Sequence, residues 1–363
     1  MWKEIAAFIG AGAALYAAQQ SELISEKAAK ILAVIGSTEF VLYLANRLYF
    51  SGGRCYETER LDGKFVIITG ANTGIGKETA AELARRGATV IMACRNTEKA
   101  EAAKAEIIGN YGIGRPTALT KNVLNSKIKQ VITPVNPHQL IVEHLDLSSF
   151  KSIREFAQRI REGKKKVDIL INNAGIMYCP YMKTADGFEM QVGTNHLGHF
   201  LLTELLLPEM NKGAKGTRII LVSSLANVFA KDSLLPFNVD EAHYNSAQCY
   251  CRSKLANAMY ANYLSKRLLP DGIQTASVHP GSVMTELARH SRLLTLSLQL
   301  IFRPLMKSSW EGSQTTIYTA LTPNLHSGDY YADCAVAKAN PLVYDAKAQE
   351  EMISASRKAV GLD

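Results

Sequence analysis

Six β-rich runs, each ending in small or polar residues, constrain this chain more than any other feature. They are FVIIT (65–69), TVIMAC (89–94), LIVEHLDL (140–147), VDILINNAG (167–175), RIILVSS (218–224) and IQTASVH (273–279). Helix-length amphipathic stretches such as SIREFAQRIREG separate them. Such alternation predicts an α/β fold, a doubly wound parallel sheet of Rossmann type with helices on both faces and right-handed crossovers. In these sheets ligands sit at the carboxyl ends of the strands. The tails TG, ACR, LDL, NNAG, VSS and HPG all converge there.

The alternation occupies one domain, expected over residues 62–335. Ahead of it, IAAFIGAGAALYAA (5–18) and ILAVIGSTEFVLYLANRLYF (31–50) are apolar runs. A cleaved signal peptide fits poorly, because Glu4 offsets Lys3 and QQSE is a poor cleavage site. A buried helical hairpin is the bland alternative. Residues 1–50 are read as a membrane-associating segment, since a domain that starts near Leu61 has little use for them. Residues 51–61 form a linker and 336–363 a C-terminal tail. Residues 109–139 exceed the usual ~2–6 residue connection and are expected to be a surface insertion with little fixed structure or an extra hairpin. The net charge is +8, but no groove-reading or aromatic-rich motif accompanies it, so nucleic acid is not an expected partner. The six cysteines make no CxxC pair and read as reduced thiols, with no metal site.

TGANTGIGK (69–77) joins the first strand to the first helix. Gly70, Gly74 and Gly76 let the backbone turn and let a pyrophosphate approach a helix N-terminus, whose free N–H groups favour anions. An NAD site usually ends its second strand in an acid that grips the ribose hydroxyl. Here that strand ends in Cys94–Arg95, and a guanidinium suits a 2′-phosphate. NADP(H) is therefore the expected cofactor, with Lys77 assisting at the phosphate and Asp146 meeting the adenine.

Tyr250 and Lys254 stand four apart in a sequence of helical composition, so both can face one cleft. A nearby ammonium favours phenolate and tunes tyrosine as a proton donor to a carbonyl oxygen. Ser223–Ser224 end a strand upstream, Asn195 interrupts a helical run, and NNAG (172–175) offers a small-residue floor for a nicotinamide, with Asn173 and Gly175 in it.

In this order and spacing, TGANTGIGK, NNAG, NHLGHF, VSS, YCRSK and HPG resemble the short-chain dehydrogenase/reductase superfamily. ACR, DGFEMQVGTNHLGHFLLTELLLP, YCRSKLAN and HPGSVMTEL are similar to its membrane-associated retinol dehydrogenase 11–14 group. The resemblance implies a catalytic tetrad of Asn195, Ser224, Tyr250 and Lys254. Tyr250 is the implied acid/base, Lys254 holds the nicotinamide ribose and lowers the tyrosine pKa, and Asn195 anchors a relay water. Ser224 is preferred to Ser223 as the second serine of the motif. The implied cofactor contacts run through Gly70, Asn72, Thr73, Gly74, Ile75 and Gly76, then Arg95, Asp146, Asn173 and Gly175, and finally Tyr250, Lys254, Gly281 and Thr285.

The leucine-rich stretch 288–310, basic at both ends, stands where this group places its substrate-covering segment. The implied activity is hydride transfer between NADP(H) and an apolar lipid carbonyl or alcohol, first retinaldehyde/retinol. Steroid or polyprenyl carbonyls are the enzymatic alternatives, and a nucleotide-binding scaffold without turnover is the alternative of another class. Endoplasmic reticulum and mitochondrial membranes are both compatible with the resemblance, and a homo-oligomer is left open.

Overall fold

The computed structural model describes residues 2–21, 23–45, 51–230, 236–283 and 306–363. Its centre is an eight-stranded sheet of order β3-β2-β1-β4-β5-β6-β7-β8. The strands are β1 Phe65–Thr69, β2 Thr89–Cys94, β3 Leu140–His144, β4 Ile169–Asn172, β5 Arg218–Val222, β6 Gln274–His279, β7 Tyr330–Ala332 and β8 Ala335–Val336. All neighbours pair parallel except β7 and β8, which form an antiparallel edge. The strand order reverses between β1 and β4, which opens a crevice at their carboxyl ends.

Helices cover both faces. On one lie α3 (Gly74–Arg85), α4 (Thr97–Tyr111) and α10 (Ser309–Leu321); on the other lie α6 (Phe150–Glu162), α8 (Gly198–Leu206), α9 (Ser246–Arg267) and α11 (Ala346–Val360). β1 shows why its sequence is apolar throughout. Phe65 and Ile67 enter the core beneath α6, α8 and α9, whereas Val66 and Ile68 enter the core beneath α3 and α4. A strand buried on both sides has no solvent face, so hydrophobic alternation disappears from it.

The outlying segments are more firmly held than their composition suggests. Residues 109–139 are not a loose insertion or a hairpin. They contain α5 (Ser126–Val131), capped by Asn125, and bury Ala118, Ile128, Ile132 and Val135. Arg85 lies over the Tyr111 ring at 4.6 Å and donates to the Ala118 carbonyl at 3.0 Å, and its own carbonyl accepts from Thr133 N–H at 2.7 Å. The linker is likewise strapped down, because buried Arg86 donates to the carbonyls of Glu57 and Glu59 at 2.7 and 3.0 Å. What reads as a tail forms α11, which buries Met352, Ile353 and Val360 in the core.

At the N-terminus α1 (Trp2–Gln20) and α2 (Glu26–Ala45) make a hairpin in which Phe8 and Phe40 stack at 4.1 Å. Ile9, Tyr16, Ile31, Leu32, Val34, Ile35 and Val41 are exposed on it. Among the described residues no helix is long and apolar enough to cross a membrane.

Candidate active site

After β1 the chain turns through Gly70 and Gly74, both left-handed at φ +67° and +56°. Thr73, the residue before α3, is extended and makes no side-chain cap. The first N–H groups of α3 therefore point into the crevice without a side-chain acceptor, and the helix dipole adds positive potential there. Gly76 is needed for space, not for its φ: a Cβ would lie 2.5 Å from both Asn173 Nδ2 and the Gly70 carbonyl oxygen. The first turn of α3 thus rests directly on the floor built by β4, where Asn173 Nδ2 donates to the Thr69 carbonyl at 2.8 Å.

The crevice holds a cleft of ≈ 490 Å³. Gly70, Asn72, Thr73, Gly74, Ile75 and Gly76 line its middle, Arg95 and Asp146 one end, and Asn173, Gly175, Ser224, Tyr250, Lys254 and Gly281 the other. Asn195 is fully buried behind the wall. Thr285 lies outside the described residues, as do residues 288–305 of the leucine-rich stretch.

Arg95 is exposed and makes no hydrogen bond or ion pair among the described residues, so its charge is available to the cleft. Lys77 is less available, because Glu106 holds its ammonium at 2.8 Å. Lys99, which sequence reasoning missed, lines the same end. A signal for it exists: Asn96 caps α4 through Lys99 N–H, which fixes Lys99 one turn from Arg95. Asp146 stands beyond β3, and its Oδ1 is occupied by the N–H and hydroxyl of Ser148 at 2.9 and 2.7 Å.

At the other end α9, capped by Asn245, presents Tyr250 and Lys254 one turn apart. The ammonium lies 5.7 Å from the Tyr250 ring centroid, and both residues are buried. Burial raises the phenol well above its ordinary range, and a hydrogen bond with Ser224 works against that. Lys254 donates to the Val222 carbonyl at 3.0 Å, and burial pulls its pKa down to about 8. Desolvation is the larger influence on the phenol, and the group that opposes it is Ser224. Ser223 turns inward and donates to the Lys254 carbonyl at 2.6 Å, tying α9 to the end of β5. Both serines line the cleft, but with the Ser223 hydroxyl spent on that tie it is Ser224 that bonds the Tyr250 phenol. A buried, protonated phenol beside a serine hydroxyl is equipped to give a proton to an oxygen atom placed between them.

Asn195 sits in a π turn, Gly193–Leu197, between the single turn α7 (Met190–Val192) and α8. Its amide is used at both ends. Oδ1 accepts from Ile176 N–H at 2.9 Å, and Nδ2 donates to the Ile176 carbonyl and to Ser253 Oγ at 2.9 and 3.0 Å. The side chain is thus a clamp on the loop after β4. Single π turns concentrate at functional sites. Sequence showed an awkward asparagine in a helix; it could not show the change of helical pitch that accommodates it.

A family model described as short chain dehydrogenase matches residues 64–122 and 118–293. Retinol dehydrogenase 12 of Bos taurus is 44% identical over 325 residues, covering 89% of this chain and 94% of that protein. Retinol dehydrogenase 11 of Homo sapiens is 44% identical over 303 residues, covering 82% and 87%. Among solved structures, a putative uncharacterized protein from Mycobacterium Paratuberculosis superposes with a TM-score of 0.63 at 32% identity, covering 85% of this chain and 98% of that one.

Proposed function

The chain belongs to the short-chain dehydrogenase/reductase family, in its retinol dehydrogenase group, and from that premise we propose that it is an NADP(H)-dependent oxidoreductase acting on an apolar lipid carbonyl or alcohol, first retinaldehyde/retinol. The fit of the cofactor rests on the uncapped start of α3 for the pyrophosphate and on Arg95 with Lys99 for a 2′-phosphate. The substrate class is supported by relatives named retinol dehydrogenases.

In this mechanism the bound reduced dinucleotide supplies hydride to the carbonyl carbon. Tyr250 gives its proton to the carbonyl oxygen; burial makes the phenol a weaker acid, and its hydrogen bond with Ser224 opposes that. Ser224, already bonded to the phenol, donates to the same oxygen and orients it. Lys254, positively charged below about pH 8, steadies the negative charge left on Tyr250 and grips the nicotinamide ribose. Asn195 fixes Ile176 and so keeps the floor at its depth. The site works in both directions, and the ratio of reduced to oxidised cofactor sets the net one.

The exposed apolar surface of the α1–α2 hairpin supports membrane association, with the hairpin lying in the bilayer interface. The endoplasmic reticulum and the mitochondrion are both compatible sites.

The observation that carries the catalytic proposal is the buried pair Tyr250 and Lys254 in one cleft with the glycine corner. NADPH consumption with all-trans-retinaldehyde tests it. Tyr250→Phe is expected to bind the dinucleotide normally and to lose about 10²–10⁴-fold in kcat. Equal rates for the two proteins would remove Tyr250 from the chemistry.

A further inference from the structure

We propose that His199 is a positioning residue: its ring ties the turn that carries Asn195 to the cleft floor at residues 173–174, and turnover depends on that tie. His199 follows the π turn and is fully buried. Nothing in its sequence context marks it off from a core histidine; the hydrogen-bond geometry does.

Nδ1 lies 2.9 Å from the Asn195 carbonyl oxygen. A carbonyl can only accept, so Nδ1 carries the hydrogen. Nε2 lies 2.9 Å from Thr69 Oγ1. That oxygen already accepts from Asn173 N–H and Ala174 N–H, each at 2.9 Å, the former shared with the Ile171 carbonyl. With both lone pairs engaged, the Thr69 hydroxyl hydrogen is left to donate, and Nε2 accepts it. Two separate counts thus arrive at one tautomer, with Nδ1 protonated and Nε2 bare. A second ring proton would meet Thr69 with no acceptor. Burial also holds the ring neutral, opposed by the bond to the Asn195 carbonyl, and its chargeable neighbours Lys254 and His196 act in the same direction as burial.

The tie completes a frame. In the π turn Gly198 N–H reaches back to Gly193, out of the four-residue pattern, and the His199 ring supplies a donor to the Asn195 carbonyl. On the other side the Asn195 amide holds Ile176. The loop after β4 is therefore fixed at both ends, at 173–174 through Thr69 and His199 and at 176 through Asn195. Lys254 Nζ and Asn195 Oδ1 would each stand 3.4 Å from a Cβ at Gly175, so any drift of this loop moves the floor against the reacting amine.

The inference rests in part on the oxidoreductase proposal, and its test separates the two. Long-range ¹H–¹⁵N spectra of histidine-labelled protein, assigned by the signal lost in His199→Phe, should show His199 protonated at Nδ1 and unchanged from pH 5 to 8. His199→Asn keeps a donor near the Nδ1 position and loses the acceptor for Thr69. It should raise KM for the dinucleotide about tenfold, the scale of one buried hydrogen bond, with kcat nearly kept. His199→Gln keeps an acceptor for Thr69 and loses the donor to Asn195, so it should lower kcat about tenfold with KM nearly kept. A purely structural histidine would instead lower thermal stability in every variant and move kcat and KM together; that result, or an Nε2-protonated ring, overturns the tie. If the parent protein reduces no carbonyl with either dinucleotide, the functional proposal fails by itself. The spectra and dinucleotide Kd values for the Asn and Gln variants then still judge the tie.

Discussion

Arg95→Ala probes the choice of dinucleotide most directly. The guanidinium stands at the end of β2, exposed and without an ionic partner among the described residues. A 2′-phosphate carries a charge of about −1.5 to −2 at neutral pH. At ~4 Å, unit charges attract by about 1 kcal/mol in water and about 4 kcal/mol at an effective dielectric of 20. Because the site is open to solvent, the lower end applies, so a nearly doubly charged phosphate gives about 2 kcal/mol. That agrees with the ~1.5–3 kcal/mol of a hydrogen bond to a charged group. Its loss corresponds to about a 30-fold fall in kcat/KM for NADPH, while NADH, which has no such phosphate, should change less than about twofold. Lys99→Ala should act in the same direction and more weakly, and Lys77→Ala should do little because Glu106 already holds that charge. The assay is steady-state kinetics with both dinucleotides at two ionic strengths; the parent's preference for NADPH should shrink as salt screens the pair. Equal losses with NADPH and NADH, or none with NADPH, would refute the assignment of Arg95 to a phosphate.

Three further outcomes are expected. Burial pulls the Lys254 pKa down to about 8 from an ordinary 10.5, so the fold bears the cost of a buried charge fully below pH 8 and sheds it as pH rises toward 10.5; Lys254→Met should therefore abolish turnover yet raise the melting temperature of the ligand-free protein at pH 7 by a few degrees, measured by calorimetry. Gly76→Ala forces a Cβ to within 2.5 Å of the Asn173 amide and the Gly70 carbonyl, which should cost about 1–3 kcal/mol and weaken dinucleotide binding, read by nucleotide fluorescence titration. Ile31→Glu with Ile35→Glu on the exposed face of α2 should abolish co-sedimentation with phospholipid vesicles and leave kcat with a short soluble aldehyde unchanged.

The sequence made the parallel sheet legible because its strand ends are chemically marked: each predicted run coincides with the start of a strand or lies within two residues of it. The glycine corner and the Tyr250–Lys254 pair were legible for the same reason, since short-range spacing on a strand end or a helix fixes direction. The edge strands β7 and β8 were not, because three and two residues carry no periodic signal. Residues 109–139 looked loose because their prolines and glycines mark turns. What orders them is distant in sequence, through Arg85 and Arg60, whose guanidiniums bond the carbonyls of Ala118 and Val131. His199 was invisible for a related reason: its meaning lies in which atoms of Thr69 are already taken, and no pattern of residue types records that.

His196, beside Asn195 in the π turn, meets Ser356 of α11 at 2.9 Å, with both side chains fully buried. A protein made from its N-terminus has synthesised its glycine corner and its Tyr250–Lys254 pair more than a hundred residues before the serine that completes this contact. The turn that carries Asn195 thus leans on a helix that lends no residue to the lining of the cleft, so the site is braced by a distant part of the chain.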